Sequence, residues 1–413
     1  MNHPLLTHLR VIESSAFVAA PLAGLTLAQF GADVIRIDPI GGGIDYGRLP
    51  LMPTGRSLYW TGLNKSKRSL AVDLRRQEGR ELVQELCAAT GVLLTNIATS
   101  WLSHSVLATR RADVISCTIS GNADGSTAVD YTVNCATGYP AITGGGSVDA
   151  PVNNVVPAWD FACAYQAAFA ILAALEKRRR SGEGSELKLA LSDVAFCSLS
   201  HLGILAEAEL LGRERESIGN YIYGAFGRDF GTADGRRIMI AAISAGQWQA
   251  LLQACGAAAK MAELESSLGL AFKNESDRYE ARDSIAAVIA EWCASRSLAE
   301  IARVFDEHRV CWGVYRTVGD LLASDPRVSK AAEVFEQVDT PGVGRHLTAG
   351  TPVRIGAQPR GSVRPAPWLG QHTDEVLLEV LRLDSATIGR LHDARIVAGP
   401  EEDPTVRNGP AGS

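Results

Sequence analysis

Asp160 is the residue whose position points most directly to chemistry. It precedes a nearly uncharged run, 161–175, that is rich in alanine and leucine and predicts a helix. We expect Pro157, just upstream, to keep Ala158 out of the helix, which makes Asp160 the predicted N-cap. Such a carboxylate accepts a bond from a first-turn amide, and the helix dipole favours its ionised form. Position alone favours this structural cap, but an ionised carboxylate held there is also a candidate nucleophile.

The composition indicates an enzyme-sized globular protein. The chain has 413 residues, of which 46% are hydrophobic and 21% charged, enough for one large domain and a smaller one. The net charge of −6 and the absence of a long basic run argue against nucleic acid or a membrane as the main partner. The densest basic run, 178–180, suits the carboxyl end of the helix that begins near Asp160.

The spacing of cysteine and histidine shows no metal or disulfide pattern. The eight cysteines are scattered without a CxxC pair, and the eight histidines are dispersed. The first residues lead into a strand-like segment rather than a secretory signal. We therefore expect reduced thiols, no metal site and a cytoplasmic location. The run 161–175 is shorter than the ~20 residues that span a bilayer, so we expect a buried core helix.

The order of strand-like and helical segments predicts an α/β fold. Apolar segments at 9–13 and 33–37 flank a helical segment at 21–30, which is a βαβ opening. The alternation continues to about residue 119 and predicts an open, largely parallel, Rossmann-like sheet. The first connection lacks the GxGxxG turn of dinucleotide-binding proteins, so NAD is not expected. We predict a large domain over 1–200, a smaller α+β domain with its linkers over 201–325, and a return to the large domain over 326–413.

Many short segments, in order along the chain, resemble one family. They are Val11 to Glu13 with Pro21, and the segments 31–37, 64–70, 95–96, 160, 182–184, 232–235 and 369–373. The chain is similar over nearly its whole length to the class III CoA transferases, which include formyl-CoA and carnitine CoA transferases and 2-methylacyl-CoA racemases. This resemblance implies coenzyme A as part of the substrate, no tightly bound cofactor, and a homodimer of two interlocked chains.

Longer segments narrow the implied reaction. Residues 31–43, 129–134 and 219–230 resemble members that move CoA between the two carboxyl groups of one methyl-branched unsaturated dicarboxylate. Where racemases carry a His–Asp pair and a glutamate that move a proton, this chain has Val129-Asp130 and Ser244. Where formyl-CoA transferases have four glycines over the reacting carboxylate, it has the bulkier 220–223.

The expected activity is therefore an intramolecular CoA transfer on a small dicarboxylate. An intermolecular acyl-CoA:carboxylate CoA transferase is the alternative, and a racemase or a non-catalytic CoA-binding protein is less favoured. The presence of Asp160 argues against the non-catalytic alternative. Residue types do not identify the acyl group.

The resemblance also implies roles for individual residues. Asp160 would attack the acyl carbon of the thioester and then carry CoA as an aspartyl thioester. Residues expected to contact CoA are Val18, Ala19, Lys67, Arg68, Leu70, Asn96, Ile97, His104, Val129, Asp130 and Tyr131, and residues expected in the substrate pocket are Tyr221, Tyr223 and Arg228. Arg228 would pair with the second carboxylate of the substrate.

Residue type alone leaves structural alternatives open for several of these residues. Lys67 and Arg68 are also compatible with a solvated turn. Asp130 is also compatible with a turn cap, and the aromatic residues of 219–230 with core packing.

Overall fold

The computed structural model describes residues 3–144 and 149–407. These residues fold into two compact units. The larger unit contains the described parts of Met1–Thr137, Asn154–Leu205 and Pro326–Ser413, and the smaller unit those of Gly138–Asn153 and Ala206–Asp325. The segment Gly138–Asn153 lies outside the predicted small domain, which began at residue 201.

The described residues contain twelve strands. In chain order they are β1 (Arg10–Ser14), β2 (Asp33–Pro39), β3 (Arg68–Val72), β4 (Val92–Thr95), β5 (Ile115–Ser120), β6 (Ser185–Ala190), β7 (Phe226–Gly231), β8 (Arg237–Ala242), β9 (Cys311–Val314), β10 (Phe335–Thr340), β11 (Gly344–Ala349) and β12 (Val397–Ala398).

Eighteen α-helices lie in the same residues. They are α1 (Ala19–Gln29), α2 (Leu58–Asn64), α3 (Gln77–Thr90), α4 (His104–Arg110), α5 (Asp130–Ala136), α6 (Tyr139–Thr143), α7 (Ala158–Ser181), α8 (Leu191–His201), α9 (Ile204–Leu211), α10 (Ala245–Cys255), α11 (Ala258–Leu268), α12 (Glu275–Glu280), α13 (Arg282–Ala294), α14 (Leu298–Glu307), α15 (Val318–Ser324), α16 (Thr373–Leu381), α17 (Ser385–Asp393) and α18 (Pro404–Arg407). Two short 3₁₀ turns lie at Ser100–Leu102 and Pro400–Glu402.

A seven-stranded sheet forms the centre of the larger unit. Its strand order is β12-β3-β2-β1-β4-β5-β6, and every neighbouring pair is parallel except β12 with β3. The prediction of an α/β fold with a largely parallel sheet is therefore confirmed. The chain builds outward from β1 on one side and from β4 on the other. The crevice between these two strands, at their carboxyl ends, is where open α/β sheets bind ligands.

Both faces of this sheet are covered, which explains its nearly continuous apolar strands. The side chain of Val11 packs into a cluster with α1 and α7, and that of the next residue, Ile12, into a cluster with α3 and α16. Successive strand residues point to opposite faces. The larger unit is therefore a three-layer α/β/α arrangement.

Helix α7 is longer than the predicted run 161–175 because it extends from Ala158 to Ser181. Its buried side is made mostly of small residues, Cys163, Ala164, Ala167, Ala168, Ile171 and Ala174, and it packs closely against α1. Among the described residues, α7 and the bent pair α8–α9 have the length and apolar composition of a membrane-spanning helix. Core helices of globular proteins also have this length and composition. The predicted buried core helix is buried on this side only, because its other side exposes Phe161, Tyr165, Phe169 and Leu172.

The smaller unit packs helices around a three-stranded antiparallel sheet, β7-β8-β9. Its core includes Phe226, Trp248 and Phe305. Strands β10 and β11 form a separate antiparallel hairpin in the larger unit.

Candidate active site

Asp160 lies in the first turn of α7, at the third helical residue rather than at the N-cap. The N-cap is Pro157, and the helix begins at Ala158. The predicted cap role is therefore wrong. Proline restricts the residue that precedes it and is favourable at a helix start, so Pro157 does not keep Ala158 out of the helix.

Asp130 performs the capping role that was expected of Asp160. Its Oδ2 accepts hydrogen bonds from the backbone amides of Trp159, at 2.7 Å, and Asp160, at 3.0 Å. The Trp159 indole also donates to Asn134 Oδ1 at 3.0 Å. Helix α5 therefore anchors the start of α7 at two points, and Asp130 satisfies amides that have no partner within the helix. Asp130 is therefore a cap, as its alternative role predicted, but it caps a helix that begins 28 residues later.

The carboxyl group of Asp160 is partly buried and its charge is disfavoured. Burial, followed by the negative charge of Asp130, raises the pKa of Asp160 from 3.8 to about 7, while the backbone amide of Ala19 acts to lower it. Burial also raises the pKa of Asp130, against the amides of Asp160 and Trp159. The helix dipole was expected to keep Asp160 ionised, but desolvation outweighs it. The carboxyl group therefore titrates near neutral pH.

The loop after β1 brings the backbone amide of Ala19 to this carboxylate. Phe17 has a left-handed backbone with φ of 62°, a conformation that costs free energy in a residue with a β-carbon. Asn96, which follows β4, holds the preceding residue: Ala16 N donates to Asn96 Oδ1 at 2.9 Å, and Asn96 Nδ2 donates to Ala16 O at 2.7 Å. Val18, Ala19 and Asn96 thus lie at the switch point between β1 and β4.

A buried charged network supports the same loop from below. Arg36 lies 2.8 Å from Asp38, 3.4 Å from Asp45 and 3.5 Å from Glu13, and all four side chains are at most 2% exposed. Burial alone would lower the pKa of Arg36, but the three carboxylates raise it. Arg36 Nη2 also donates to Ser15 O at 2.9 Å.

Lys67 belongs to this network, which opposes the predicted contact with a CoA phosphate. Its Nζ donates to Glu13 Oε1 at 2.8 Å, Pro21 O at 2.8 Å and Asn64 Oδ1 at 2.9 Å, and its side chain is fully buried. Burial lowers the pKa of Lys67 to about 8, although Glu13 acts to raise it. Three acceptors occupy the three protons of the ammonium group, so none faces solvent.

Arg68 and Leu70 also have structural contacts in place of the predicted contacts with CoA. The Arg68 guanidinium binds Asp33, at 2.5 Å, and Glu375 and Glu379, each at 2.9 Å. Leu70 is fully buried in the core of the sheet. Arg68 begins β3, so it lies at the amino end of that strand, whereas ligands bind at the carboxyl ends.

The remaining residues predicted to contact CoA are in the larger unit. Ile97, Val129 and Tyr131 are exposed apolar or aromatic side chains, at 43%, 52% and 41%. His104 begins α4, and its Nδ1 lies 2.8 Å from Ser116 Oγ. Their contacts with CoA stay predictions.

Tyr221, Tyr223 and Arg228 lie in the smaller unit, where each has a protein partner. Arg228 Nη1 donates to the Tyr221 hydroxyl at 2.8 Å, and that hydroxyl donates to Asp283 at 2.6 Å. The Tyr223 hydroxyl donates to Glu207 at 2.6 Å. Tyr221 and Arg228 line an open cavity of about 360 Å³ in this unit. Ser244, which replaces a racemase glutamate, accepts a bond from Gln247 N as the N-cap of α10.

The carboxyl edge of the sheet holds an apolar cavity of about 260 Å³ that sequence reasoning missed. It is lined by residues from the loops after β1, β2, β3 and β4, namely Ser14, Ser15, Ala16, Ile37, Pro39, Gly43, Ile44, Asp45, Leu74, Ile97, Thr99 and Trp101. Of the predicted residues, Ile97 is in this lining. An apolar cavity beside the switch point suits an aromatic or aliphatic part of a ligand.

Tyr59 and Arg48 were also missed. Burial raises the pKa of Tyr59 to about 12, the charge of Arg48 acts to lower it, and that of Asp160 to raise it. The Tyr59 phenol is therefore within electrostatic range of both groups. Neither residue carries a local sequence signal, since a lone tyrosine and a lone arginine are common on protein surfaces.

This arrangement suits acyl transfer to a carboxylate. A partly desolvated carboxylate, fixed at a helix start and facing a backbone amide, can attack a thioester when it is ionised. In the described part of the chain, no group of three or more His, Cys, Asp or Glu side chains is placed to hold a metal ion.

Comparison with known proteins identifies the family. Residues 6–373 match the model of CoA-transferase family III, and the chain belongs to this family. It is 49% identical over 403 residues to 2-methylfumaryl-CoA isomerase of Chloroflexus aurantiacus, covering 96% of this chain and 98% of that protein. It is 28% identical over 407 residues to succinyl-CoA–D-citramalate CoA-transferase of the same organism, covering 95% and 98%.

A solved structure has the same fold. The crystal structure of a CAIB/BAIF family protein from Brucella suis superposes with a TM-score of 0.75 at 25% identity, over 92% of this chain and 100% of that one. The predicted family is confirmed, and the chain is an enzyme of this family.

Proposed function

We propose that this protein is an intramolecular CoA transferase that converts 2-methylfumaryl-CoA (mesaconyl-CoA) into the isomer with CoA on the other carboxyl group. The observation that carries the proposal is the partly buried carboxyl of Asp160, which is fixed in the first turn of α7 beside the backbone of Ala19. The 49% identity to a 2-methylfumaryl-CoA isomerase supports the substrate.

The proposed reaction has four balanced steps. The Asp160 carboxylate attacks the thioester carbon, forming a mixed anhydride and releasing the CoA thiolate. The thiolate attacks the aspartyl carbonyl of the anhydride, giving an aspartyl-CoA thioester and the free dicarboxylate. The other carboxylate of the retained acid then attacks this thioester, giving a second anhydride and thiolate. Attack of the thiolate on the acyl carbon forms the isomeric thioester and restores Asp160.

The alternative is an intermolecular transferase, in which the freed acid leaves and another carboxylate enters. Relatives at 28% identity carry such names, and the chemistry at Asp160 would be the same. The two reactions differ only in whether the acid stays bound between the second and third steps.

Isotope exchange distinguishes the two reactions. Mesaconyl-CoA is incubated with the enzyme and an excess of labelled free mesaconate, and both thioester isomers are analysed by mass spectrometry. We expect isomerisation with little label in the product. Label entering the product at the rate of isomerisation would identify an intermolecular transferase.

The role of Asp160 as the nucleophile is tested with the same enzyme and thioester. Borohydride reduction of enzyme treated with mesaconyl-CoA should convert Asp160 into homoserine, and the Asp160→Asn variant should lose at least ~10³-fold in turnover because it lacks the nucleophile. Full activity in Asp160→Ala would exclude the proposed intermediate.

We also propose a cytoplasmic homodimer of interlocked chains. Phe161, Tyr165, Phe169 and Leu172 form a stripe along one side of α7, and Phe169 is 72% exposed. Such a stripe is typical of a surface that another chain covers. Light scattering at micromolar concentration should give the mass of two chains, and a stable monomer would contradict the proposal.

A further inference from the structure

Arg48 is a cation without a carboxylate partner in the region of Asp160. The other cations there are already paired, since Arg36 binds three carboxylates and Lys67 binds Glu13. Within residues 3–144 and 149–407, no carboxylate oxygen lies within 4.0 Å of the Arg48 guanidinium. The side chain of Arg48 is exposed to solvent. Its charge is therefore available to a ligand.

The guanidinium of Arg48 is held in place by two aromatic rings. Its central carbon lies 5.6 Å from the centre of the Phe17 ring and 5.1 Å from that of Tyr59. The backbone is fixed as well, because Arg48 N donates to Asp45 O at 3.2 Å and Arg48 O accepts from Ser57 Oγ at 2.5 Å. A guanidinium stacked on rings loses less conformational freedom when it binds an anion.

The two rings connect Arg48 to the reacting carboxylate. Phe17 lies two residues before Ala19, whose amide faces Asp160, and its strained backbone is fixed by the bond from Phe17 N to Asp45 Oδ2 at 3.0 Å. Tyr59 responds to the charges of both Arg48 and Asp160. The Tyr59 ring is therefore in contact with the guanidinium of Arg48 and within electrostatic range of Asp160.

We propose that Arg48 binds the carboxylate of the substrate that is not joined to CoA, and so selects dicarboxylyl thioesters. The inference deepens the proposed function, in which one carboxylate stays free in the substrate and in the product. Arginine binds a carboxylate through two parallel hydrogen bonds. Arg48 thereby takes the role that sequence reasoning gave to Arg228, whose guanidinium bonds to Tyr221.

A pair of substrates that differ only in this carboxylate provides the test. Mesaconyl-CoA carries it, and tiglyl-CoA has a methyl group in its place. Single-turnover formation of aspartyl-CoA is measured for both thioesters with wild type, Arg48→Met and Arg48→Lys. The matched control is Arg75→Met, because Arg75 is an exposed arginine paired with Asp73.

We expect Arg48→Met to lower the single-turnover rate constant for mesaconyl-CoA by about 30- to 1,000-fold and that for tiglyl-CoA by less than about threefold. Arg48→Lys should recover part of the selectivity, and Arg75→Met should match wild type. An equal loss with both thioesters would overturn the inference, because it would indicate binding of a CoA phosphate or a structural role. Rate constants for mesaconyl-CoA and tiglyl-CoA that both stay at the wild-type value in Arg48→Met would overturn it as well.

The ratio of the two rates does not depend on where CoA goes next. A wild-type enzyme that forms aspartyl-CoA but never returns CoA to mesaconate would overturn the proposed isomerisation and leave the Arg48 ratio as a valid test. Absence of any aspartyl-CoA in wild type would overturn both.

Discussion

Two groups of buried carboxylates in the larger unit differ in how their charge is compensated. Beneath the β1 loop, Glu13 and Asp38 lie within 3.5 Å of Arg36, and Glu13 also binds Lys67. At the start of α7, Asp130 and Asp160 have backbone amides as neighbours. Among the described residues, no cationic side chain lies within 4.0 Å of either carboxylate at this second place.

This difference indicates a structural role for the carboxylates with bonded cations and a chemical role for Asp160. A carboxylate with a bonded cation stays ionised and is a poor nucleophile, because attack would break the ion pair. A carboxylate that is desolvated next to another one holds its charge weakly, and its pKa shifts toward the working pH. The paired network therefore fixes the loop, and the unpaired Asp160 remains available for reaction.

Removing a cation from the paired network should have the largest effect on stability. Lys67→Met leaves the buried Glu13 carboxylate with the Ser15 hydroxyl, at 2.7 Å, and a single cation, Arg36, at 3.5 Å. We expect a loss of about 3–5 kcal/mol in the free energy of unfolding. Urea unfolding followed by circular dichroism measures it. Lys177→Met is the matched control, because Lys177 pairs with Glu183 on the surface and should lose at most about 1 kcal/mol.

The same variant tests the role that the sequence suggested for Lys67. A lysine that binds a phosphate of CoA would, when replaced, raise KM for every thioester and leave unfolding unchanged. Destabilisation by Lys67→Met no larger than that of Lys177→Met would contradict the structural role.

A smaller effect, on the pH dependence of activity, is expected from removing the charge of Asp130. Asp130→Asn keeps an oxygen that can accept from the amides of Trp159 and Asp160, but removes the negative charge that raises the pKa of Asp160. In wild type, kcat/KM should fall as pH drops below about 7, since the ionised carboxylate is the proposed nucleophile. In Asp130→Asn this acid limb should move to lower pH by about half a unit to one unit.

Asp130→Ala serves as the comparison for that variant. It removes both the charge and the cap, so it should also lose about 1–2 kcal/mol of stability and a larger share of kcat. An acid limb that stays in place in Asp130→Asn would mean that burial alone sets the pKa of Asp160.

The sequence predicts what depends on local pattern. The apolar periodicity was sufficient to predict the parallel sheet. The alanine-rich run was sufficient to predict α7 with Asp160 near its start. The wrong predictions concern side chains whose bonding partners are distant in the sequence. Lys67 and Arg68 resemble a charged turn, and only the fold brings Glu13, 54 residues away, to the ammonium of Lys67.

The same reason explains the cap and the missed residues. Asp130 caps a helix that begins 28 residues later, and no rule of local spacing predicts such a pair. Arg48 gains significance only because the fold brings its guanidinium over the rings of Phe17, 31 residues earlier in the chain, and Tyr59. Sequence patterns therefore single out Asp160 as the proposed nucleophile, while its electrostatic surroundings require the structure.

Removing the unpaired charge should increase stability, an effect opposite in sign to that of Lys67→Met and smaller in size. The pKa of Asp160 is raised from 3.8 to about 7 in the folded protein, so the folded state binds more protons than the unfolded state between these values. The contribution of Asp160 to the stability of wild type therefore falls as pH rises from about 4 to about 7 and is level above that range.

Asp160→Asn carries no charge and lacks this decline. Its advantage over wild type should grow between pH 4 and 7 and reach about 1–3 kcal/mol at pH 8, after allowing for the favourable effect of the helix amides on a carboxylate. Thermal or urea unfolding of both proteins at pH 5 and pH 8 measures the difference. A variant that is less stable than wild type at pH 8 would show that Asp160 is a stabilising helix-start residue, and the contrast between the paired and unpaired carboxylates would then be wrong.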